Sequence, residues 1–314
     1  QIFSKSISQT SGYASYVVNG TKTQRTGWDV TINGAVIKST KGVSWDATLN
    51  LGAFTNKFKE LPTGLSILNT FYKVGSRTDE VWFRKMARTP DGQIINDAGG
   101  RPIYMPVAQY VGNSNPDLVW GLNNKITYKA FTFNFQVDGR LGGVMEDYVR
   151  KKTFQGGRHI ETIQGAMGEA RYQDYKGIKS YVGEGVVVAS GTPVFDPVTG
   201  RISNYNALTF APNTIKTYIQ DYISRVHGNP EPNIMSKTYM KLREVMLTYE
   251  LPQALVQKSI FKKATVSLVA RNLLYWMPDT KFNDVDIDQY PGESSIGLQT
   301  PTTRSYGINI NFIF

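Results

Sequence analysis

The chain has 314 residues, enough for one large domain or two ordinary ones, and it contains no cysteine, which excludes a disulfide framework and a thiolate metal site. Its net charge of +10 is scattered: the densest basic clusters, Arg150 to Lys152 and Lys262 with Lys263, belong to no basic helix or aromatic-interleaved motif, which argues against nucleic acid as a partner. Aromatic residues at 12% and 29 glycines favour β structure with many turns, and no apolar run approaches the roughly 18 residues of a membrane helix, a test that leaves membrane β-strands open.

The opening QIFSKSISQTSG lacks the features of a signal peptide and reads as the interior of a longer polypeptide. From Trp28 to Ile37, Trp28, Val30, Ile32 and Val36 fall on one face and Asp29, Thr31 and Asn33 on the other. After KSTKG the pattern resumes with Val43, Trp45, Ala47, Leu49, Leu51 and Ala53, so the two runs predict a β-hairpin of long strands. Weaker strands are expected at 67–74 and 81–88. The alternation returns with Trp120, Leu122, Ile126 and Tyr128, and at once again with Phe131, Phe133, Phe135 and Val137. Two more weaker strands follow at 239–251 (Val245, Leu247, Tyr249, Leu251) and 265–274 (Val266, Leu268, Ala270). The chain ends in RSYGININFIF, where Tyr306, Ile308, Ile310, Phe312 and Phe314 alternate with Ser305, Gly307, Asn309 and Asn311. Termini usually fray, so alternation to the last residue implies an end locked into a sheet.

About nine strands result, each near the roughly 9 to 11 residues of a tilted membrane-crossing strand. The fold class expected is all-β: an antiparallel transmembrane β-barrel wall, part of a larger plugged barrel, with long extracellular loops. Short connections (38–42, 75–78, 129–130) alternate with long ones (55–66, 89–116, 140–237, 275–303), the asymmetry of periplasmic turns against extracellular loops; 252–264 is longer than a tight turn but falls on the short side. With the short side periplasmic, Trp45, Tyr128, Phe131, Tyr249 and Phe314 form one aromatic girdle, and Trp28 and Trp120 lie near the other rim. A soluble β-sandwich remains the alternative. Its solvent face is usually charged, whereas the polar rows here are rich in Ser, Thr, Asn and Gly. The insertion 140–237 carries its own elements: strands around DPVTG and a helix presenting Ile215, Tyr218, Ile219, Tyr222, Ile223 and Val226, capped by Asn213 or Thr214 and buried against other loops or a partner.

No constellation carries catalysis. His159 and His227 have no carboxylates placed beside them and read as surface residues. In DVDID, Asp284 to Asp288, the carboxylates fall at calcium-loop spacing, but Gln289 and Ser295 stand where an EF-hand needs glycine and glutamate. Glu146 and Asp147 are adjacent and would point to opposite faces of a strand. The chain is read as a non-enzyme without a cofactor.

Four stretches resemble one family: GNSNPDLVWGLNNKITYKAFTFNFQVDGRLGG (112–143), TYMKLREVMLTYELP (238–252), ATVSLVARNLLYW (264–276) and PTTRSYGININFIF (301–314). They are similar to the C-terminal half of the barrel of SusC/RagA-like TonB-dependent outer-membrane transporters of Bacteroidota, and the likeness runs from about residue 3 to 314. The resemblance implies a cell outer-membrane location, and import of glycans or peptides through a 22-stranded plugged barrel. It implies a SusD-like surface lipoprotein as lid and TonB acting through an N-terminal part, with its signal peptide, TonB box and plug, that this chain lacks. Tyr306, Ile308, Ile310, Phe312 and Phe314 would then be the lipid-facing row of the closing strand, read by the barrel-assembly machinery. Two departures stand out: Asn283, Asp284, Val285, Asp286 where the family often has an Asn-x-Asp-Pro-Glu type of motif, and NDAGG at 96–100 in place of an Asp/Gly-rich repeat. Two other classes stay open, a soluble glycan-binding β-domain and an outer-membrane hydrolase.

Overall fold

A computed structural model describes residues 2–39, 42–62, 65–68, 71–257, 259–279, 286–290 and 302–314. Its largest element is an antiparallel seven-stranded sheet built from β1 (Lys22–Ile37), β2 (Val43–Glu60), β3 (Leu118–Tyr128), β4 (Phe131–Leu141), β5 (Tyr239–Glu250), β6 (Lys263–Trp276) and β7 (Ser305–Ile313). Each strand pairs with its neighbour in sequence, so the order across the sheet is the order along the chain. Tight links make this meander possible. β3 and β4 are joined by Lys129 and Ala130 alone, with Lys129 at φ 52°, the left-handed conformation that a two-residue hairpin demands.

The register keeps the two faces chemically separate. One row runs Trp28, Ala53; another runs Ile32, Leu49, Leu122, Val137 and Leu242; a third runs Ile126, Phe133, Leu247, Leu268 and Ile308. Between them, on the opposite face, run rows such as Thr31, Asn50, Gly121, Asp138 and Lys241. A one-residue slip would exchange the faces, so the hydrophobic pattern fixes the register. The pattern survives several irregularities: the β1–β2 register shifts between Lys22 and Thr23 and between Ala35 and Ile37, and that of β5 shifts between Leu242 and Glu244, which places Arg243 as an extra residue and keeps Met240 and Leu242 on the apolar side.

Seven wall strands are found among the described residues where the sequence suggested about nine. Within 67–74 the described residues make the isolated bridge Leu68–Tyr72, and of 81–88 only the part up to Phe83 is strand, in Glu80–Phe83, paired with Gln109–Asn113 outside the wall. Both stretches have apolar residues but no partner long enough to extend them. The first half of the expected loop 55–66 is strand, since β2 continues to Glu60. Each long connection, 61–117, 142–238 and 277–304, leaves from the same end of the sheet, and the tight turns occupy the other.

The buried cores lie in these connections, not under the sheet. One joins Met145, Met235, Tyr239, Met277, Ile287 and Tyr290; a second joins Ala87, Ile95, Val186, Ile202 and Leu208; the third joins Phe154, Ala170, Ile219, Tyr222 and Ile223. The third core holds helices α1 (Tyr148–Gln155), α2 (Gly165–Tyr175) and α3 (Ile219–Gly228) together. α3 starts later than the sequence pattern suggested, because Lys216–Thr217 pair as a strand with Tyr181–Val182. Its first free N–H groups are taken by Asp174 of α2, which accepts from Ile219 N at 3.2 Å and Gln220 N at 3.1 Å, so neither Asn213 nor Thr214 is the cap.

Gly139 sits where β3, β4 and β5 crowd together. A Cβ there would lie 2.9 Å from the Trp120 ring and would collide with the Tyr239 carbonyl. Gly139→Val is expected to lower the folded fraction of the full-length protein several-fold, read as loss of the heat-modifiable band on semi-native gels, whereas Gly34→Ala, with nothing nearby, leaves it unchanged.

Candidate functional site: a two-faced wall and the loop ion-paired to it

The apolar face of the sheet is open. Tyr306 is 73% exposed, and Ile308, Ile310, Phe312, Leu268, Phe133 and Ile32 are exposed too. An apolar surface spanning seven strands far exceeds the few hundred Å² that soluble monomers present. Its aromatic residues gather at two levels. Near the tight turns, Tyr128, Phe131 and Tyr249 pair across three strands, with the Phe131 and Tyr249 rings 4.8 Å apart. Phe312 and Phe314 belong to the same end, where Phe261 stacks on Phe312 at 4.5 Å and meets Phe314 edge-on at 5.0 Å. Towards the long connections, Trp28 pairs with Ala53, and Trp120 shares a row with Gly139, Met240 and Trp276.

Phe261 and Trp276 were not singled out from the sequence. Trp276 is legible in hindsight, because it continues the even-numbered row of Val266 and Leu268 two residues past the expected strand end. Phe261 has no such signal; it lies in an irregular link and only the fold brings it to the last strand.

Trp45 occupies the apolar face but is not a free aromatic. Its indole Nε1 donates to Asn124 Oδ1 at 3.0 Å, and Asn124 is only 4% exposed, a single amide in the row between Leu122 and Ile126. A polar side chain on an apolar wall needs a partner, and the indole supplies one to the carbonyl end of the amide; Asn124 Nδ2 has none.

The polar face carries Asn123, Asn134 and Asp138, and it is ion-paired to the loop after β6. Arg243, the extra residue of β5, grips Asp138 with two bonds (Nε–Oδ2 2.7 Å, Nη2–Oδ1 2.9 Å) and also binds Asp288. Asp288 further accepts from Tyr239 Oη at 2.9 Å and Lys241 Nζ at 3.3 Å; Lys241 also binds Asp286 Oδ2 at 2.6 Å. Arg140 donates to the Asp288 carbonyl at 2.9 Å and lies over the Tyr239 ring. Burial raises the pKa of the Asp288 carboxyl, but the Arg243 hydrogen bonds and charge outweigh it, helped by Tyr239 and Lys241, and hold the group well below the usual carboxylate range.

The carboxylates of DVDID that the structure describes are therefore saturated by cations. Asp284 and Val285 lie outside the described residues, and among the described ones no group of three or more His, Cys, Asp or Glu side chains could hold a metal. Glu146 and Asp147 are likewise engaged: Lys151 binds Glu146 at 2.9 Å and Asp147 caps α1 by accepting from Arg150 N at 2.8 Å.

The histidines correct the expectation of surface residues. His227 is 6% exposed and stacks on Phe154 at 3.8 Å, and His159 stacks on the same ring at 4.1 Å. His227 Nδ1 lies 2.8 Å from Asn233 Oδ1, the geometry of an N–H donated to a carbonyl. Sequence spacing cannot show this, because Phe154 and His227 meet only through packing of α1 on α3.

Burial lowers the His227 pKa to about 4, against the smaller raising effect of Asn233. A histidine with a depressed folded pKa stabilises the fold fully above its ordinary value of about 6.5 and loses that contribution as pH falls towards about 4. Amide protection factors in α1 and α3 of the full-length protein, taken against the intrinsic exchange rate at each pH, are expected to fall between pH 6.5 and 4.5, and His227→Phe to flatten that dependence. Arg243→Met leaves Asp138 and Asp288 facing each other with less compensation and is expected to destabilise the loop contact by about 2 to 3 kcal/mol after allowance for partial exposure. Exchange protection around 286–290 reads this loss, which Arg243→Met combined with Asp138→Asn partly restores.

Among known proteins, no family model matches the chain. The TonB-dependent receptor P26 of Formosa agariphila is 22% identical over 346 residues, covering 98% of this chain and 31% of its own length. The structure of the RagAB peptide transporter superposes with a TM-score of 0.62 at 16% identity, over 98% of this chain and 31% of that one. The RagAB peptide importer in its open-open state gives 0.62 at 15% identity, over 100% of this chain and 31% of that one. The chain thus spans about a third of the length of each protein it matches. Along nearly its whole length the chain is therefore similar to SusC/RagA-type transporters, and its sheet has the fold of a stretch of their outer-membrane β-barrel wall.

Proposed function

We propose that this chain is part of the barrel of an active transporter that imports oligomeric nutrients, glycans or peptides, across the outer membrane. Energy comes from TonB acting on a plug elsewhere in the protein, and a SusD-like lipoprotein forms the lid. The observation that carries the reading is the two-faced wall. A continuous exposed apolar surface on one side and an Asn, Thr, Asp and Arg surface on the other suit lipid outside and a wet lumen inside. The sheet has two edges, β1 and β7, which in lipid require partner strands, so it works as part of a larger closed barrel.

In this arrangement the tight-turn end faces the periplasm and the connections 61–117, 142–238 and 277–304 are extracellular. Trp45, Tyr128, Phe131 and Tyr249 form the inner girdle, and Trp28 and Trp120 the outer one. The row Tyr306, Ile308, Ile310, Phe312, Phe314 is the closing strand and its signal to the barrel-assembly machinery. The soluble β-domain is disfavoured by the same apolar face, which nothing in the described residues covers.

The test uses the full-length polypeptide. Its mass is expected at about three times the 35.1 kDa of this chain, in the outer-membrane fraction. Uptake of fluorescent peptides and oligosaccharides by cells is expected to fall to background on deletion of the gene or of TonB. Recovery without detergent, or uptake indifferent to TonB, overturns the proposal.

A further inference from the structure

The three long connections share their buried interior. Ile95–Asn96 of connection 61–117 pairs parallel with Val186–Val187 of connection 142–238, so the three-stranded sheet that results belongs to both. Ile95 is fully buried in one core with Val186, Ile202 and Leu208, and the buried Asn96 amide donates to the Glu184 carbonyl at 2.8 Å. Lys237, also fully buried, reaches back to the Ser114 carbonyl at 2.7 Å. The Glu231 carboxylate accepts from Met86 N and, at 3.1 Å, from Arg88. Segment 286–290 of the third connection joins the same body. Ile287 is fully buried in a core with Met145 and Met235, which lie in the paired strands at the foot of the insertion.

The foot of the insertion, where a swinging loop would bend, is closed as well. Gly142 and Gly143 follow β4 directly and hold φ 75° and 81°, the left-handed region. A Cβ on Gly142 would strike the Asp117 carboxylate, and one on Gly143 would lie 3.2 Å from the backbone of Pro116; both neighbours belong to connection 61–117. Segments that open by themselves have few buried apolar contacts and solvent-exposed hydrogen bonds. Here, parting the connections would bring Ile95 and Ile287 into water and take an acceptor from a buried amide and from a buried ammonium.

We propose that connections 61–117 and 142–238 and segment 286–290 are one cooperative unit that opens and moves as a whole, and that Asp286 and Asp288 strap this unit to the wall through Lys241 and Arg243. The unit is a fixed side of the mouth: substrate is admitted by movement in the remainder of the protein, and not by these connections parting from one another. Cooperativity is a property of this chain alone. Its consequence for substrate entry rests on the reading of the chain as part of a transporter.

The test uses the full-length protein. Ile95→Val and Ile287→Val each remove one methylene from a different core, a change mild enough to leave the fold intact. Either substitution is expected to lower amide protection about three- to tenfold, by the same factor at 95–96, 144–146, 186–190 and 209–212, and to leave wall residues 120–127 unchanged. A fall confined to the core that carries the substitution overturns the unit. Ile95→Cys with Val186→Cys, neighbours across the parallel pair in a chain that has no cysteine, places a disulfide between the two connections. Gln109→Cys with Thr199→Cys, joined by a short bismaleimide, is a second lock nearer the surface should the first fail to fold. Uptake of fluorescent peptides and oligosaccharides is expected to stay within twofold of the wild type in the locked protein. Uptake that falls to background in the disulfide-locked protein and returns on reduction overturns the fixed mouth. If the wild type itself shows no TonB-dependent uptake, the transporter reading has failed, and the exchange measurement still decides the unit.

Discussion

A peptide N–H or C=O left unpaired in hydrocarbon costs several kcal/mol, and that single constraint organises the wall. It makes every strand of the sheet run antiparallel to its sequence neighbour with a near-complete ladder, and at one of the irregularities a side chain turns the break to use. The register shift in β5 is such a place. The ladder steps past Arg243, and the extra residue becomes the hinge of the ion pairs that bind the loop after β6 to the polar face. The same constraint explains why the sheet requires neighbours at β1 and β7.

The second consequence is a division of labour between wall and connections. The wall has almost no buried core, since its apolar face meets lipid and not protein. Most burial within the chain lies in the connections, where Met145, Ile287, Phe154 and Ile219 are almost fully removed from solvent. Titratable groups follow the same division. His227 is kept neutral inside one connection core, whereas Asp288 is kept ionised at the junction between a connection and the wall. Asn124 is a polar side chain on the apolar face, and Trp45 gives its indole N–H to it.

The strands were legible because alternation over ten residues has few other causes. The five strongest runs in the sequence all became wall strands, and the terminal row of Tyr306, Ile308 and Ile310 pairs with Ala270, Leu268 and Val266 as its spacing required. The runs at 67–74 and 81–88 misled for a physical reason: a stretch of apolar residues becomes a wall strand only where a neighbour pairs along it, and here pairing is limited to the bridge Leu68–Tyr72 and to Glu80–Phe83 with Gln109–Asn113. The connections were least legible. The α3 helix was expected from its apolar stripe, but a short strand pair delayed its start and a carboxylate from α2 took over its cap.

By itself the sequence determined what depends on period and chain position: an all-β wall, its two chemically distinct faces, the side carrying the long connections, and the aromatic rows of Trp28, Trp120, Tyr128, Phe131 and Tyr249. These follow from neighbours along one chain, and a two-residue period leaves little freedom. Only the tertiary structure decided the contacts made across many residues: the grip of Arg243 on Asp138 and Asp288, the stacking of His159 and His227 on Phe154, and the seating of Phe261 on Phe312. Each joins segments whose separation in sequence carries no periodic signal, so their meeting is fixed by which loop can close its ion pairs and bury its apolar surface at once.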